Sequence, residues 1–190
     1  MTFRNRLAAT AAGMALVAAL AVPVSVASAD GAWIDASPKT DWNTAGMAVP
    51  TAPKVQVPQG CAQNPSIRAA ETVPDQTLVA AGWYLFGAYT TGWDVSVIQA
   101  TAGFDGMCRP LSFNQFVFVG SVFAGTVSPQ PMDSRTDGVI AYSQLFSPNS
   151  LFATFSRYKP NDALCCPSST SIVQYALDTT HLNAPVLKVS

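Results

Sequence analysis

From residue 82 to the C-terminus the chain is written in short runs, each closed by a turn signal, and nothing else restricts its fold as strongly. Residues 82–89 (GWYLFGAY) form one apolar run, and Thr90-Thr91-Gly92 reads as the turn that follows it. Residues 93–102 (WDVSVIQATA) alternate bulky and polar side chains, the pattern of a half-buried strand. Asp105-Gly106 marks another turn. Residues 112–119 and 122–127 flank Gly120-Ser121, which stands in the position of a two-residue hairpin turn. Residues 139–146 and 151–158 flank Ser147-Pro148-Asn149-Ser150, and 171–177 and 185–189 complete the set. The expectation is a mainly β fold: an antiparallel meander of about eight short strands, arranged as a sandwich, curled sheet or barrel. At most one short N-terminal helix is added, capped at Asn64-Pro65-Ser66, running through Ala70 and Glu71, and ended by Pro74. The 14 prolines and the many Val, Thr, Phe and Ser residues agree, since they disfavour long helices.

The N-terminus has a different logic. Arg4 and Arg6 precede an uncharged Ala-rich run over 7–22, then Pro23, then Ala27-Ser28-Ala29 before Asp30. A basic start, an apolar stretch and an Ala-x-Ala site make a secretory leader over 1–29. The apolar run is shorter than the roughly 20 residues that cross a bilayer, so a retained anchor is not expected. Removing 29 of 190 residues leaves 161, enough for one domain and a tail. Residues 30–60 carry Pro38, Pro50, Pro53 and Pro58 among small residues and read as a flexible tail, with Trp33 and Trp42 docking on the domain. A single disulfide-stapled β domain is expected over 61–190.

Charge narrows the partners. The leader takes two of ten basic residues and none of eleven acidic ones, so the mature chain has 8 − 11 = −3. With no Lys/Arg cluster, nucleic acid and anionic membrane are not expected as partners. A secreted or periplasmic monomer meeting an envelope or extracellular protein or a small ligand, without an integral membrane span, is the expectation.

Four cysteines in an exported chain read first as disulfides. Cys165 and Cys166 are adjacent, whereas Cys61 and Cys108 stand alone. A direct bond between neighbours closes a small strained ring. Adjacent residues on extended backbone point to opposite sides, so each of the vicinal pair is expected to take one of Cys61 and Cys108. Which takes which is open. Metal binding is not expected: the short Cys-x-x-Cys spacing is missing and His181 is the only histidine. No cofactor is implied.

Several strings resemble the LppP/LprE family of bacterial envelope proteins. They are Gly103-Phe104-Asp105-Gly106-Met107-Cys108-Arg109-Pro110-Leu111, Phe123 to Pro129, Ser134-Arg135-Thr136-Asp137-Gly138, Phe155 to Pro160, and Asp162-Ala163-Leu164-Cys165-Cys166-Pro167-Ser168. The resemblance spans roughly residues 80–178, and its most specific part runs from Arg157 to Ser168. It implies an envelope protein of a family without an established activity. Many members are lipoproteins. This chain has no cysteine near the cleavage site, so lipid anchoring does not carry over.

Catalytic constellations are thin. No Gly-x-Ser-x-Gly elbow is present, and Ser156-Arg157-Tyr158-Lys159 lacks the partners of a serine acylase. The residues left to weigh are Asp105, Asp137 and Asp162, which stand in loops beside Arg109, Arg135 and Arg157. A carboxylate next to a guanidinium stays ionised, which suits a loop-tying or ligand-binding network better than a general acid. The expectation is a non-catalytic binding or structural module. The alternatives are a hydrolase using these loop carboxylates and an inhibitor-like protein presenting a β-sheet face to a protein partner.

Overall fold

The computed structural model describes residues 31–87 and 89–190. The expected leader over 1–29 lies outside the described residues. Among the described residues nine strands form two antiparallel sheets. The first holds β1 (Tyr84–Leu85), β2 (Thr90–Gly92), β3 (Val95–Phe104), β4 (Pro110–Val119) and β5 (Val122–Thr126). The second holds β6 (Val139–Ser147), β7 (Ser150–Arg157), β8 (Ser169–Asp178) and β9 (Val186–Val189) in sequence order. The meander is a sandwich: β5 approaches β9 at one rim and β2 approaches β6 at the other, without strand pairing that would close a barrel.

The ninth strand comes from the segment after the apolar run over 82–89, which itself holds only β1. Phe86 donates its amide to Gln99 O in the ladder (3.2 Å), but Gly87 turns away to donate to Ser66 O (2.8 Å). Its φ of +74° is open to glycine and costly for other residues. The edge strand resumes as β2, so Thr90-Thr91-Gly92 is strand rather than turn. The turn is Trp93-Asp94, both left-handed (φ 51° and 64°), which gives the primed geometry that suits hairpin twist.

Alternation divides β3 and β4 between two cores. Val95, Val97, Phe113 and Val117 face the second sheet and meet Leu151, Ala153, Phe155, Val173 and Tyr175. Ile98, Ala100, Ala102, Phe116 and Phe118 face the other way, onto Leu78, Trp83 and the arm residues Met47, Val49 and Val55. The first sheet is therefore buried on both faces, the second on one.

The helix is displaced from its expected place. It is α2 (Val73–Ala80), following a single helical turn α1 (Ala32–Asp35). Pro74 opens the helix instead of ending it, because proline fits the first turn, where amides need no partner. Thr72 and Asp75 form a capping box. Asn64, expected as the cap, instead accepts the Ser66 amide through Oδ1 (2.9 Å), closing a local turn.

The segment expected to be a flexible tail is extended but tied down. Trp42 Nε1 donates to Thr126 O (3.0 Å). Asn43, 5% exposed, donates to Thr126 O (3.0 Å) and Leu187 O (2.9 Å) and accepts the Thr126 amide (2.9 Å). Asp41 accepts the Val189 amide (2.8 Å). Farther along, Ala52 donates to Ala81 O (2.9 Å) and Trp83 Nε1 to Pro50 O (2.7 Å). The arm thus occupies the open rim between β5 and β9 and satisfies strand-edge groups that have no neighbouring strand. A side chain at Gly125 (φ +145°) would overlap the Asn43 amide, so glycine there admits the bridge.

The disulfide pairing differs from the one expected. Cys61 bonds Cys108 (Cα–Cα 5.1 Å) and Cys165 bonds Cys166. Cys61 sits in a 3-10 turn against the β3–β4 hairpin, where Asn64 Nδ2 also reaches Cys108 O (3.4 Å). The vicinal pair lies in the β7–β8 loop of the other sheet. That backbone is a turn rather than extended, with Cys166 N donating to Ala163 O (2.8 Å), so the two side chains are not forced apart.

Candidate binding cleft

The arm and the first sheet enclose a cavity of about 310 Å³. Trp42, Met47, Pro50 and Pro53 come from the arm, Trp83 precedes β1, Phe116 lies on β4, and Pro129 and Pro131 come from the loop after β5. Trp42 is held by the hydrogen bond to Thr126 and by edge-to-face packing on Trp33 (5.0 Å between centroids) and Tyr175 (6.3 Å). Tyr175 is in turn fixed by its hydroxyl, which donates to Val127 O (2.5 Å), and burial pushes that phenol above its usual range.

Two polar side chains on this wall, Asn114 and Thr126, already have partners. Asn114 donates to Ser128 O (2.9 Å) and accepts the amides of Gln115 (2.8 Å) and Ser128 (3.2 Å). Thr126 Oγ1 donates to Ser128 O (2.8 Å). No ionisable side chain lines the cavity. Across Trp42 and Pro129 lies a second space of about 260 Å³, lined also by Trp33, Ala36, Lys39, Thr40 and Asp41. Chemically, both spaces offer mainly apolar contact, and the charged side chains Lys39 and Asp41 stand only at the second.

The residues singled out from sequence stand elsewhere. Asp105 and Arg109 pair across the β3–β4 turn, with Arg109 Nε donating to Oδ2 (2.5 Å). Asp105 Oδ1 also accepts the amides of Met107 (2.8 Å) and Arg109 (2.9 Å). The Arg109 side chain, then its amide, hold that carboxyl down to about 2. Arg157 reaches Asp137 (3.1 Å) on one side and Asp35 on the arm (2.7 Å, bidentate) on the other. Its charged form is favoured first by Asp35, then by Asp137. Arg135 has a left-handed backbone (φ 66°) and forms no ion pair among the described residues. Asp162 binds the Lys159 amide (2.8 Å), the Ser168 amide (2.9 Å) and Ser168 Oγ (2.9 Å). These donors, the Lys159 amide foremost, lower its carboxyl below the usual range. The sequence-neighbour pairings of Asp137 with Arg135 and Asp162 with Arg157 do not form, and the carboxylates share no hydrogen bond. The reason is reach: Arg157, at the end of β7, points across the sheet edge to the arm.

Among the described residues no group of three or more His, Cys, Asp or Glu is placed to hold a metal, and His181 lies exposed in the β8–β9 loop. The cleft itself was not legible as a site. Its only signal was the density of Trp and Pro in an arm otherwise poor in large side chains.

Fold and staple define the class first: a disulfide-bonded, two-sheet antiparallel β protein with an arm sealing one rim. The profile of the LppP/LprE lipoprotein family matches residues 87–180, from just before β2 to just past β8, and over this segment the chain is similar to that family. Comparison with curated proteins and with solved structures gives no match. Among the described residues no helix is long and apolar enough to cross a membrane.

Proposed function

We propose that this chain works as a non-catalytic binding module of the bacterial envelope, exported and freed of residues 1–29, with the cleft around Trp42 as its ligand site. The wall of the cleft carries this reading. Three indoles and four prolines line the two neighbouring spaces, and Asn114 and Thr126 of the larger one are already hydrogen-bonded. Such a surface rewards burial of apolar ligand and offers little to a polar one. The test uses Nile red, a neutral apolar dye, with protein purified from a host that exports it. Saturable one-to-one binding is expected, lost on Thr51→Trp, which fills the larger space from an exposed position on its wall. Undiminished binding to the variant, or no binding to either, refutes it.

The hydrolase alternative on Asp105, Asp137 and Asp162 gains nothing from the geometry, since a general acid needs the opposite of what holds Asp105 and Asp162 ionised. The protein-docking alternative has one observation in its favour. On the outer face of the second sheet, Tyr142 (59% exposed) and Ile172 (68%) flank Thr154 in register, and Phe146 (71%) packs on Phe152 at 5.8 Å. An exposed apolar face of this kind suits a protein partner. Phe146→Glu with Ile172→Glu should leave the thermal midpoint unchanged and abolish complexes crosslinked through position 142. Unchanged crosslinking removes this reading.

A further inference from the structure

We infer that the rim opposite the arm holds a second ligand site, built around Gln115, that takes one neutral sugar ring of a glycan. It is separate from the Trp42 cleft and does not depend on it.

Where β2 approaches β6, the two sheets leave a space of about 230 Å³. Two carboxamides line it. Gln99 and Gln115 stand opposite each other in the β3–β4 register, on the side that carries Val97, Phe113 and Val117 into the core. Strand alternation calls for apolar side chains at such positions. Gln115 is only 7% exposed, and its Oε1 has no partner among the described residues. Its Nε2 donates over a long distance to Gln99 Oε1 (3.4 Å). A buried carboxamide oxygen without a donor is costly, and a carboxamide held by one long bond is free to turn toward a ligand. The Trp42 cleft differs, because Asn114 and Thr126 are spent on backbone groups there.

The lining sets the ligand's chemistry. Thr90 and Ser143 add hydroxyls from β2 and β6, and no charged side chain lines the space. Carboxamides and hydroxyls both donate and accept, so the matching ligand is uncharged and carries several groups that do the same. Tyr142, 59% exposed, also lines the space and offers an aromatic face to C–H groups. Hydroxyls set around a ring with an apolar C–H face describe a sugar. The volume lies below the roughly 300–1,000 Å³ of ordinary ligand cavities, which suits a single ring. With β2 and β6 already close, an added peptide strand has no room.

The test is an NMR titration of the isotope-labelled exported protein with the methyl glycosides of glucose, galactose, mannose and arabinose. At least one should shift the Gln115 carboxamide and Tyr142 ring resonances saturably at millimolar concentration. Gln115→Leu, close in volume, should weaken that binding about tenfold, the loss of one good hydrogen bond, without lowering the thermal midpoint. The Tyr142 ring reports it. Tyr142→Ala, at an exposed position, should weaken binding likewise, reported by the Gln115 carboxamide, and decides the matter if Gln115→Leu fails to fold. Thr51→Trp should leave sugar binding unchanged. A sugar bound where Nile red does not bind upholds this site alone, and the reverse result strikes it alone. Glucuronate and N-acetylglycinamide are the anionic and peptide-like controls. Either one shifting Gln115 as strongly as the best glycoside overturns the inference, as does binding undiminished in a folded variant. If no glycoside shifts Gln115, solvent alone meets the carboxamide and the inference falls.

Discussion

Asn43→Ala is the sharpest probe of how the sandwich is sealed. The carboxamide of Asn43 joins three backbone groups on strands that do not pair: the Thr126 amide (2.9 Å) and carbonyl (3.0 Å) on β5, and the Leu187 carbonyl (2.9 Å) on β9. Truncation leaves the Thr126 carbonyl with the Trp42 indole (3.0 Å), so the unmet groups number two, the Thr126 amide and the Leu187 carbonyl. Each buried group left unpaired costs about 1–3 kcal/mol, which puts the loss near 3 kcal/mol. For a domain of this size that is roughly 6–12 °C in thermal midpoint. Urea unfolding followed by circular dichroism gives the free energy directly. Asn43→Asp should be at least as damaging as Ala, because it turns a carboxylate oxygen toward the carbonyls that the amide nitrogen now serves. Gly125→Ala destabilises by crowding Asn43, and its cost should shrink in the Asn43→Ala background, a coupling that a double-mutant cycle reads. A loss below about 1 kcal/mol for Asn43→Ala would mean water replaces the bridge at no great cost. The account of the sealed rim would then be wrong.

Three further outcomes are expected. Cys61→Ser opens a covalent loop of sequence separation 47 and should cost roughly 4 kcal/mol on the chain-entropy account, whereas Cys165→Ser with Cys166→Ser should change global stability by less than about 1 kcal/mol; urea midpoints compare them. Non-reduced peptide mapping should recover Cys61 with Cys108, and any peptide joining either to the 165–166 pair would contradict the fold. Burial alone would raise the Asp75 carboxyl, but the Arg68 guanidinium and the amides of Glu71 and Thr72 outweigh it and lower it below the usual 3.8. The unfolded chain therefore binds the proton first, so this contribution is complete above the ordinary value and is lost as pH falls through the folded one. Asp75→Asn should cost about 2 kcal/mol at neutral pH and flatten the stability profile below pH 4, and an unchanged acid limb would refute the pairing.

Local pattern was enough for the strands. Alternation in 93–102 and the turn residues at Asp105-Gly106, Gly120-Ser121 and Pro148-Asn149 mark β3 to β7 because side-chain direction and turn geometry depend on neighbours in the chain. Pro74 shows the limit of such reading, since the same residue ends one helix or opens the next, and only the Thr72–Asp75 cap decides. The Asp–Arg groups show another. Arg157 was near Asp162 in sequence yet bonds Asp35, at a separation of 122 residues, because strand ends bring distant chain together.

The composition and pattern of this chain sufficed for an antiparallel, turn-rich β protein with cysteines set for an oxidising compartment. They resembled a family of envelope proteins, and the match over 87–180 bears that out. What only the folded molecule decided is which cysteines meet, where the arm lies and what cleft it closes. Those depend on contacts such as Asn43 with Thr126 and Leu187, separated by 83 and 144 residues. Sequence periodicity carries no record of separations that long; packing alone sets them.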